Sequence, residues 1–547
     1  MPQRSSSASA RRRRSAGRKR LVTMQNARRA VQALAFLAFV YLFVLTIGQV
    51  QIIETPEGLD AALNLVSRAP VDTFLRINPL IGISTMLAAR QVIEVLIWFG
   101  LPVVILTIVA GRFFCGWICP MGTSLDAADA AFFRKRRTIK LEVRWRNVKY
   151  YLLIVILVGS LFSVQIAYMF DPIAIITRTF TLAFFAPVQM VLRAIGDFEP
   201  IRASFPAVSR NQLMPDGQMF FRMNLIALLI FSGIIAANYY SRRFWCRNLC
   251  PLGAMLALIS RVSIIRRVVG DKCRSCNRCE RDCKMASILP EQRNYLAPEC
   301  IYCYSCTRSC PSRDTKIVPT FARKGYHTEL DLNRRRMVQA FGIGLAWTAV
   351  AKTHVSAKVA RNSNIKISSA ELIRPPGSLP ENEFLATCIR CGQCMKVCPT
   401  NGLQPSMLEA GLEGLWSPIL VPRIGECTEK CNLCARVCPT QAIQQFTIEE
   451  KAHLFIGTAV IDRSACIVWN AEKVCLICDE YCSYQAIHWK TIDGVRYPYV
   501  DDSKCTGCGI CESACPIQPE AAIRVFSFGD KRHMTREEQR RWREAGS

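Results

Sequence analysis

The chain has 547 residues, a formal net charge of +28 and 51% hydrophobic residues, and it carries 28 cysteines but only five histidines. That length excludes a single small domain, and a disulfide framework or separated zinc knuckles would not account for so many cysteines in close runs. His327, His354, His453, His488 and His533 all lie outside the apolar stretches, and there is no C-x-x-C-H, so neither a bis-histidine haem in a bilayer nor a covalently attached haem is expected.

Residues 1–30 form a basic arm containing Arg4, Arg11 to Arg14, Arg18, Lys19, Arg20, Arg28 and Arg29, with no acidic residue before Glu54. Such an arm can bind nucleic acid, but here it abuts an apolar stretch, so the reading is membrane topology and no nucleic acid partner is expected. Residues 31–269 read as a membrane domain. Val31–Val50, Val92–Ala110, Tyr150–Met169 and Phe220–Tyr240 approach the roughly 20 apolar residues that cross a bilayer. The first lacks a small-residue cleavage site, so it reads as a span rather than a signal peptide. Basic clusters after the second and fourth stretches place Gly111–Lys149 and the segment from Ser241 in the cytoplasm with the arm.

An internal repeat lies in this domain. Arg112-Phe113-Phe114-Cys115-Gly116-Trp117-Ile118-Cys119-Pro120-Met121-Gly122 matches Arg243-Phe244-Trp245-Cys246-Arg247-Asn248-Leu249-Cys250-Pro251-Leu252-Gly253. Each copy follows a two-helix hairpin, so the halves can gather Cys115, Cys119, Cys246 and Cys250. Those thiols suit a further cluster, copper or reversible redox chemistry; packing of soft residues at helix ends is the plainer alternative. For a quinol, ionisable groups near hydrocarbon are the candidates: Glu94, at the start of the second stretch, and Asp171 and Arg178, just outside the third. Interfacial anchoring or helix capping would also explain them.

The other 24 cysteines form six quartets, mostly C-x2-C-x2-C-x3-C and often followed by proline, the spacing of bacterial 4Fe–4S ferredoxins. Three closely spaced thiolates wrap one cubane and the fourth turns to a neighbouring cluster. Residues 270–315 carry Cys273, Cys276, Cys279, Cys283 and Cys300, Cys303, Cys306, Cys310, a two-cluster ferredoxin in which Cys310 completes the first cluster and Cys283 the second; Lys284 stands where proline is usual. Residues 316–380 form a linker. In it Asn333-Arg334-Arg335-Arg336 precedes the short apolar run Met337–Ala351, like a twin-arginine signal or the flank of a fifth, short span. Either moves the C-terminal part of the chain across the membrane. Cleavage at Val355-Ser356-Ala357 is conceivable, but an uncleaved tether is favoured.

Residues 381–530 carry the remaining quartets: Cys388, Cys391, Cys394, Cys398; Cys427, Cys431, Cys434, Cys438; Cys466, Cys475, Cys478, Cys482; and Cys505, Cys508, Cys511, Cys515. The third is widened and has Ser483 in place of proline. Ala442-Ile443, Ala486-Ile487 and Ala522-Ile523 are expected as short helical turns beneath clusters. Residues 531–547 are a charged tail. The fold class is a membrane α-helical domain, four spans plus a short fifth, with two α+β bacterial-type ferredoxin domains.

With these motifs, residues 30–315 resemble the NapH-type membrane ferredoxins of the NosR/CcoG/MauN group, and residues 333–530 resemble NapG/MauM ferredoxins, here fused. The resemblance implies a bacterial inner-membrane, multi-pass protein with six 4Fe–4S clusters. It would pass electrons from the quinone pool, with quinol as donor, to a periplasmic reductase, dehydrogenase or cytochrome, as the electron-transfer component of a quinol dehydrogenase. It also implies nested pairing in the four-cluster part, first quartet with fourth and second with third; sequential pairing is the alternative. A second function in the same group is CcoG-like metal or redox assembly of a respiratory enzyme, but four further clusters suit conduction better than delivery.

Overall fold

A computed structural model describes residues 24–44, 72–133, 143–196, 220–289, 294–320, 326–327, 332–352 and 372–533. Most of the basic arm, Val355 to Ala357 and the tail beyond His533 lie outside the described residues.

The first half is a helix bundle. Its principal helices are α1 (Met24–Val44), α2 (Pro79–Ala89), α3 (Glu94–Ala110), α4 (Pro120–Ala131), α5 (Val148–Leu161), α6 (Pro172–Thr179), α7 (Asn224–Ala236) and α8 (Pro251–Ile259). Among the described residues only α1 is both long and apolar enough to cross a bilayer; the other apolar helices of the bundle have 10–17 residues. The expected span Tyr150–Met169 is corrected: α5 stops at Leu161, where Ser163 takes φ +60° and the chain turns into a new helical turn at Ala167. The expected Phe220–Tyr240 begins later, after Met223 at φ +62°.

A two-quartet unit follows. Strand β1 (Ile265–Val269) pairs antiparallel with β2 (Thr315–Pro319), bracketing both quartets. Helix α9 (Arg334–Ala351) then returns along the bundle. Asn333 caps it by accepting from the Arg335 N–H at 2.9 Å, so the paired arginines form its first turn. It lies against α5, with Gly344 over Val155 and Val158.

The C-terminal unit is built of short paired strands: β3 (Leu403–Pro405) with β4 (Pro418–Leu420), β5 (Thr458–Ile461) with β8 (Ile523–Phe526), and the hairpin of β6 (Ile487–Ile492) and β7 (Val495–Val500), all antiparallel. The Ala-Ile steps are not helical turns. Ile443 bridges Ser378, Ile487 opens β6 and Ile523 opens β8.

The two ferredoxin units cap opposite ends of the bundle. Helix α5 starts with Lys149 and Tyr150 on Glu299 of the two-quartet unit, and just past its end Gln165 accepts from Arg390 of the C-terminal unit. Helix α1 starts with Gln25 beside Arg308 and ends with Phe43 beside Lys396. Helix α7 follows Phe220 and Arg222, which bond Gln404, and runs to Asn238, which bonds the Leu125 carbonyl of α4.

Glu299 is the lock at the first end. It is 2% exposed and receives Lys149, Arg112 Nη1 at 2.9 Å and the Tyr150 hydroxyl at 2.7 Å. Burial pushes its carboxyl up, but Lys149, Arg112 and Arg146 outweigh this and hold it down at about 2. Close docking also requires Gly116, because a Cβ there would meet the Ile301 carbonyl at 2.2 Å. A second clamp is Asp126, bound by Arg28, Arg243 and Lys284 at 2.7–2.8 Å. Lys284, the departure from proline, thus ties the two-quartet unit to the bundle.

Removing one partner of a buried ion pair strands the others, at about 3–5 kcal/mol. Glu299→Gln should therefore destabilise the purified protein by that order in thermal unfolding. Because the folded carboxyl is depressed, its stabilisation is present above the ordinary value and is lost as pH falls through about 2. An unchanged melting profile in Glu299→Gln would remove the lock from this account.

Candidate metal centres

In the C-terminal unit each quartet gives three thiols to one set and its fourth to a neighbour. The third cysteine lies on a short helix, Gln393–Lys396, Leu433–Arg436, Ile477–Glu480 or Ile510–Ala514, that ends before the fourth. Proline after Cys398, Cys438 and Cys515 disfavours helical backbone at the cysteine, and Cys515 is extended. The fourth thiol thus leaves its own loop.

The structure corrects the nested pairing. Cys388, Cys391 and Cys438 interact with one another and with Cys394, which also feels Cys434 of the adjoining set. Cys398 lines one pocket with Cys427, Cys431 and Cys434. Cys482 lines another with Cys505, Cys508 and Cys511. Cys515 lines a third with Cys466, Cys475 and Cys478. First is joined with second and third with fourth. The physical reason is local: the segment between the first two quartets folds back through β3 and β4, bringing Gly402 and Thr400 against Gly425, so neighbours in sequence are neighbours in space.

Backbone N–H groups point at the crossed-over sulfurs: Ile443 at Cys438 Sγ (3.5 Å) and Ala486 at Cys482 Sγ (3.3 Å). Such bonds tune cluster potentials. Four thiols brought together in this way are the donor set that a cubane needs, so the residues fit that cofactor.

The sets form a line. Cys391 belongs to the apolar core of the bundle, and Gly392, at φ +84°, packs on Thr181. The Cys427 N–H donates to the Cys508 carbonyl at 2.8 Å, joining the second set to that of Cys505. Cys511 interacts with Cys478 of the last set, beside which Val474 is 90% exposed. One end of the line is buried in the bundle and the other reaches the surface.

In the two-quartet unit Cys283 interacts with Cys300 and Cys306. Cys279 interacts with Cys273, Cys276 is exposed, and Cys310 bonds Ser312. Cys115, Cys119, Cys246 and Cys250 are all buried in the bundle core.

The three ionisable candidates are separated. Glu94 is exposed at the start of α3. Asp171 is fully buried and caps α6, accepting from the Ile173 and Ala174 N–H groups and from Asn78 Nδ2 at 2.7 Å. Arg178 is 3% exposed, stacks on Trp416 at 4.1 Å, and leaves Nη1 without a hydrogen-bond partner among the described residues. Arg390 stacks on Tyr168 at 4.1 Å. Tyr168, Arg390 and Trp416 escape sequence reasoning, because nothing in their spacing marks an interface.

Cysteine sets of this kind, on a short-stranded ferredoxin scaffold, define an iron–sulfur electron-transfer protein. Models described as 4Fe-4S binding domain match residues 92–140, 223–270 and 385–404, and one described as 4Fe-4S dicluster domain matches residues 473–518. The last joins the third and fourth quartets, as the structure does. Methylamine utilization ferredoxin-type protein MauM of Methylorubrum extorquens is 35% identical over 201 residues, 35% of this chain and 84% of the relative. Ferredoxin-type protein NapG of Escherichia coli is 34% identical over 35% of this chain and 83% of the relative. Ferredoxin-type protein NapH of Haemophilus influenzae is 27% identical over 47% of this chain and 79% of the relative. The chain belongs to this family of ferredoxin-type proteins. No solved structure matches it.

The crossed pairing has a direct consequence. In Cys438→Ser, Cys388, Cys391 and Cys394 should become open to maleimide labelling while Cys466, Cys475 and Cys478 stay protected, as read by mass spectrometry. In Cys515→Ser the pattern should reverse. Exposure of Cys388, Cys391 and Cys394 in Cys515→Ser would restore the nested arrangement.

Proposed function

We propose that the chain is a membrane-bound electron carrier that takes electrons from quinol and delivers them to a redox partner on the periplasmic side of a bacterial inner membrane. The single observation that carries this reading is the seat of Cys391 in the apolar core of the helix bundle. With one end of a line of thiol sets in that core and the other at an exposed surface, it supports a reductant acting from within the bundle.

The six quartets are the ligands of six 4Fe–4S clusters, two in residues 270–315 and four in residues 381–530. Residues 31–269 are the membrane domain, with α1, α3, α5 and α7 as its four spans and α9 as a short fifth; the helical turns that follow α5 and α7 add to their length. The attachment of the ferredoxin units to opposite ends supports a crossing between them, with residues 270–315 in the cytoplasm and residues 381–530 in the periplasm. The basic clusters on the side of residues 270–315 agree with that orientation.

Quinol oxidation releases two electrons and two protons. The electrons leave singly through the set containing Cys391. The protons need a base beside it, and Asp171, next to Arg178 and the C-terminal unit, is the group poised for this. Glu94, exposed at the rim, is placed to hand protons to solvent. The partner that accepts the electrons, a periplasmic reductase, dehydrogenase or cytochrome, docks beside the set containing Cys466, where Val474 and Tyr481 are exposed.

Two measurements test this. A reporter fused after Cys310 should read cytoplasmic and one after Gly529 periplasmic; both on one side would overturn the crossing. A reduced menaquinol analogue added to anaerobic membranes should bleach cluster absorbance. Loss of a general base is worth about 10²-fold or more, so Asp171→Asn should slow bleaching by that order with iron content unchanged. Clusters that dithionite reduces but quinol does not would rule out the quinol assignment.

A further inference from the structure

The two C-x3-C-P motifs are built into one site by arginines that cross between the repeats. Arg243 of the second copy donates to the Cys115 carbonyl at 2.8 Å and the Gly122 carbonyl at 3.0 Å of the first. Arg112 of the first copy reaches the matching place in the second. A Cβ placed at Gly253 would meet Arg112 Nη2 at 2.6 Å, the Cys246 carbonyl at 3.5 Å and Cys250 Sγ at 3.5 Å. Each guanidinium is anchored behind by a carboxylate, Asp126 for Arg243 and Glu299 for Arg112. The exchange brings the two cysteine pairs together: Cys250 interacts with Cys246, Cys115 and Cys119, and Cys119 with Cys115 and Cys246.

Two further observations point to a bound group. Arg112 is fully buried, yet its Nε and Nη2 have no hydrogen-bond partner among the described residues. Cys119 and Cys250 are the N-caps of α4 and α8, so two helix N-termini converge on the thiols and favour negative charge there. Four cysteines are the usual ligands of a 4Fe–4S cluster.

We infer that Cys115, Cys119, Cys246 and Cys250 together hold one further 4Fe–4S cluster inside the bundle, and that this centre is the electron relay between the two ferredoxin units. The thiols share one apolar core with Cys391 at one side, and Cys303 packs against that core at the other. A relay is needed there. The helical part of α5 alone, from Lys149 to Leu161, separates the two units by roughly 18 Å at 1.5 Å per residue. One electron enters the four-thiol centre from one side and leaves to the other, so no bond forms or breaks and no proton moves. The inference rests on the iron–sulfur reading of the six quartets and is independent of quinol.

The test uses the full chain. Six filled quartets alone give about 24 iron atoms per chain, and a seventh cluster gives about 28. The anaerobically purified protein should hold the larger number. Cys115→Ser/Cys246→Ser should lose about four with an equal loss of acid-labile sulfide, while retention of the rest shows that it has folded. A count near 24 in the unsubstituted protein, or zinc or copper in place of the lost iron, overturns the cluster. A count far below 24 would instead bring down the six-quartet reading. For the relay, proteoliposomes with the C-terminal unit outward receive a membrane-impermeant reductant. The unsubstituted protein should bleach completely. The double variant should stop at the four clusters of the outer unit until detergent opens the vesicle. Complete bleaching of the variant, or a stop at four in the unsubstituted protein, overturns the relay.

Discussion

The arrangement of the C-terminal unit depends on one constraint: a quartet cannot close on itself. Three thiols fit around one face of a cavity, and the fourth, carried out of the helix on extended backbone, has to find another set. Cys398 and Cys438 exchange, as do Cys482 and Cys515. Two sets bound by exchange are necessarily adjacent, so chain order becomes spatial order. The contact of Cys427 with Cys508 then joins the two pairs into a line. Where that line begins is decided at Gly392, where a left-handed backbone lets the first loop press onto Thr181 of the bundle.

The cysteine pattern was fully legible in the sequence, because ligand spacing is a local property of the chain. Its pairing was not, because pairing depends on how the 28 residues between Cys398 and Cys427 fold. Nothing in their composition announces that β3 and β4 turn them back. Helix lengths were misjudged for a related reason. Val164, Ile166 and Ala167 are as apolar as the helix before them, yet they are buried against α9 after a turn at Ser163 rather than in one continuous span. Apolar runs report burial, and only the backbone tells whether the burial is in a helix.

The carboxylates that hold the assembly were equally hidden. Asp126 lies in a run of small and apolar residues with Asp129 three residues on, and Glu299 sits just before a cysteine quartet, so neither reads as the partner of cations far along the chain. In the fold Asp126 binds Arg28, Arg243 and Lys284, and Glu299 binds Arg112 and Lys149. Lys284 made sense only as a missing proline until Asp126 appeared opposite it. Asp171 and Arg178 were visible as charges beside hydrocarbon. Glu94 had the same signature but lies exposed at a helix start. Sequence separates these cases poorly because proximity to an apolar run does not say which side of the helix the charge is on.

The two ends of the bundle handle buried charge in different ways, and the difference bears on electron flow. At the end of the two-quartet unit, carboxylates neutralise the cations. At the other end Arg390 donates to the carbonyls of Gln165, Leu385 and Glu413 and stacks on Tyr168, Arg178 stacks on Trp416, and Lys396 faces Phe43. Ring faces and carbonyls hold these cations in place while leaving their charge largely uncancelled. The group next to them is the set containing Cys391, with which Arg178 interacts directly. Thiolate ligands make a cluster site anionic, and taking up an electron makes it more so. Fixed positive charge in a poorly polarisable setting favours the reduced form. Arg178 and Arg390 therefore place positive charge beside that set, which favours the reduced form of a cluster held there.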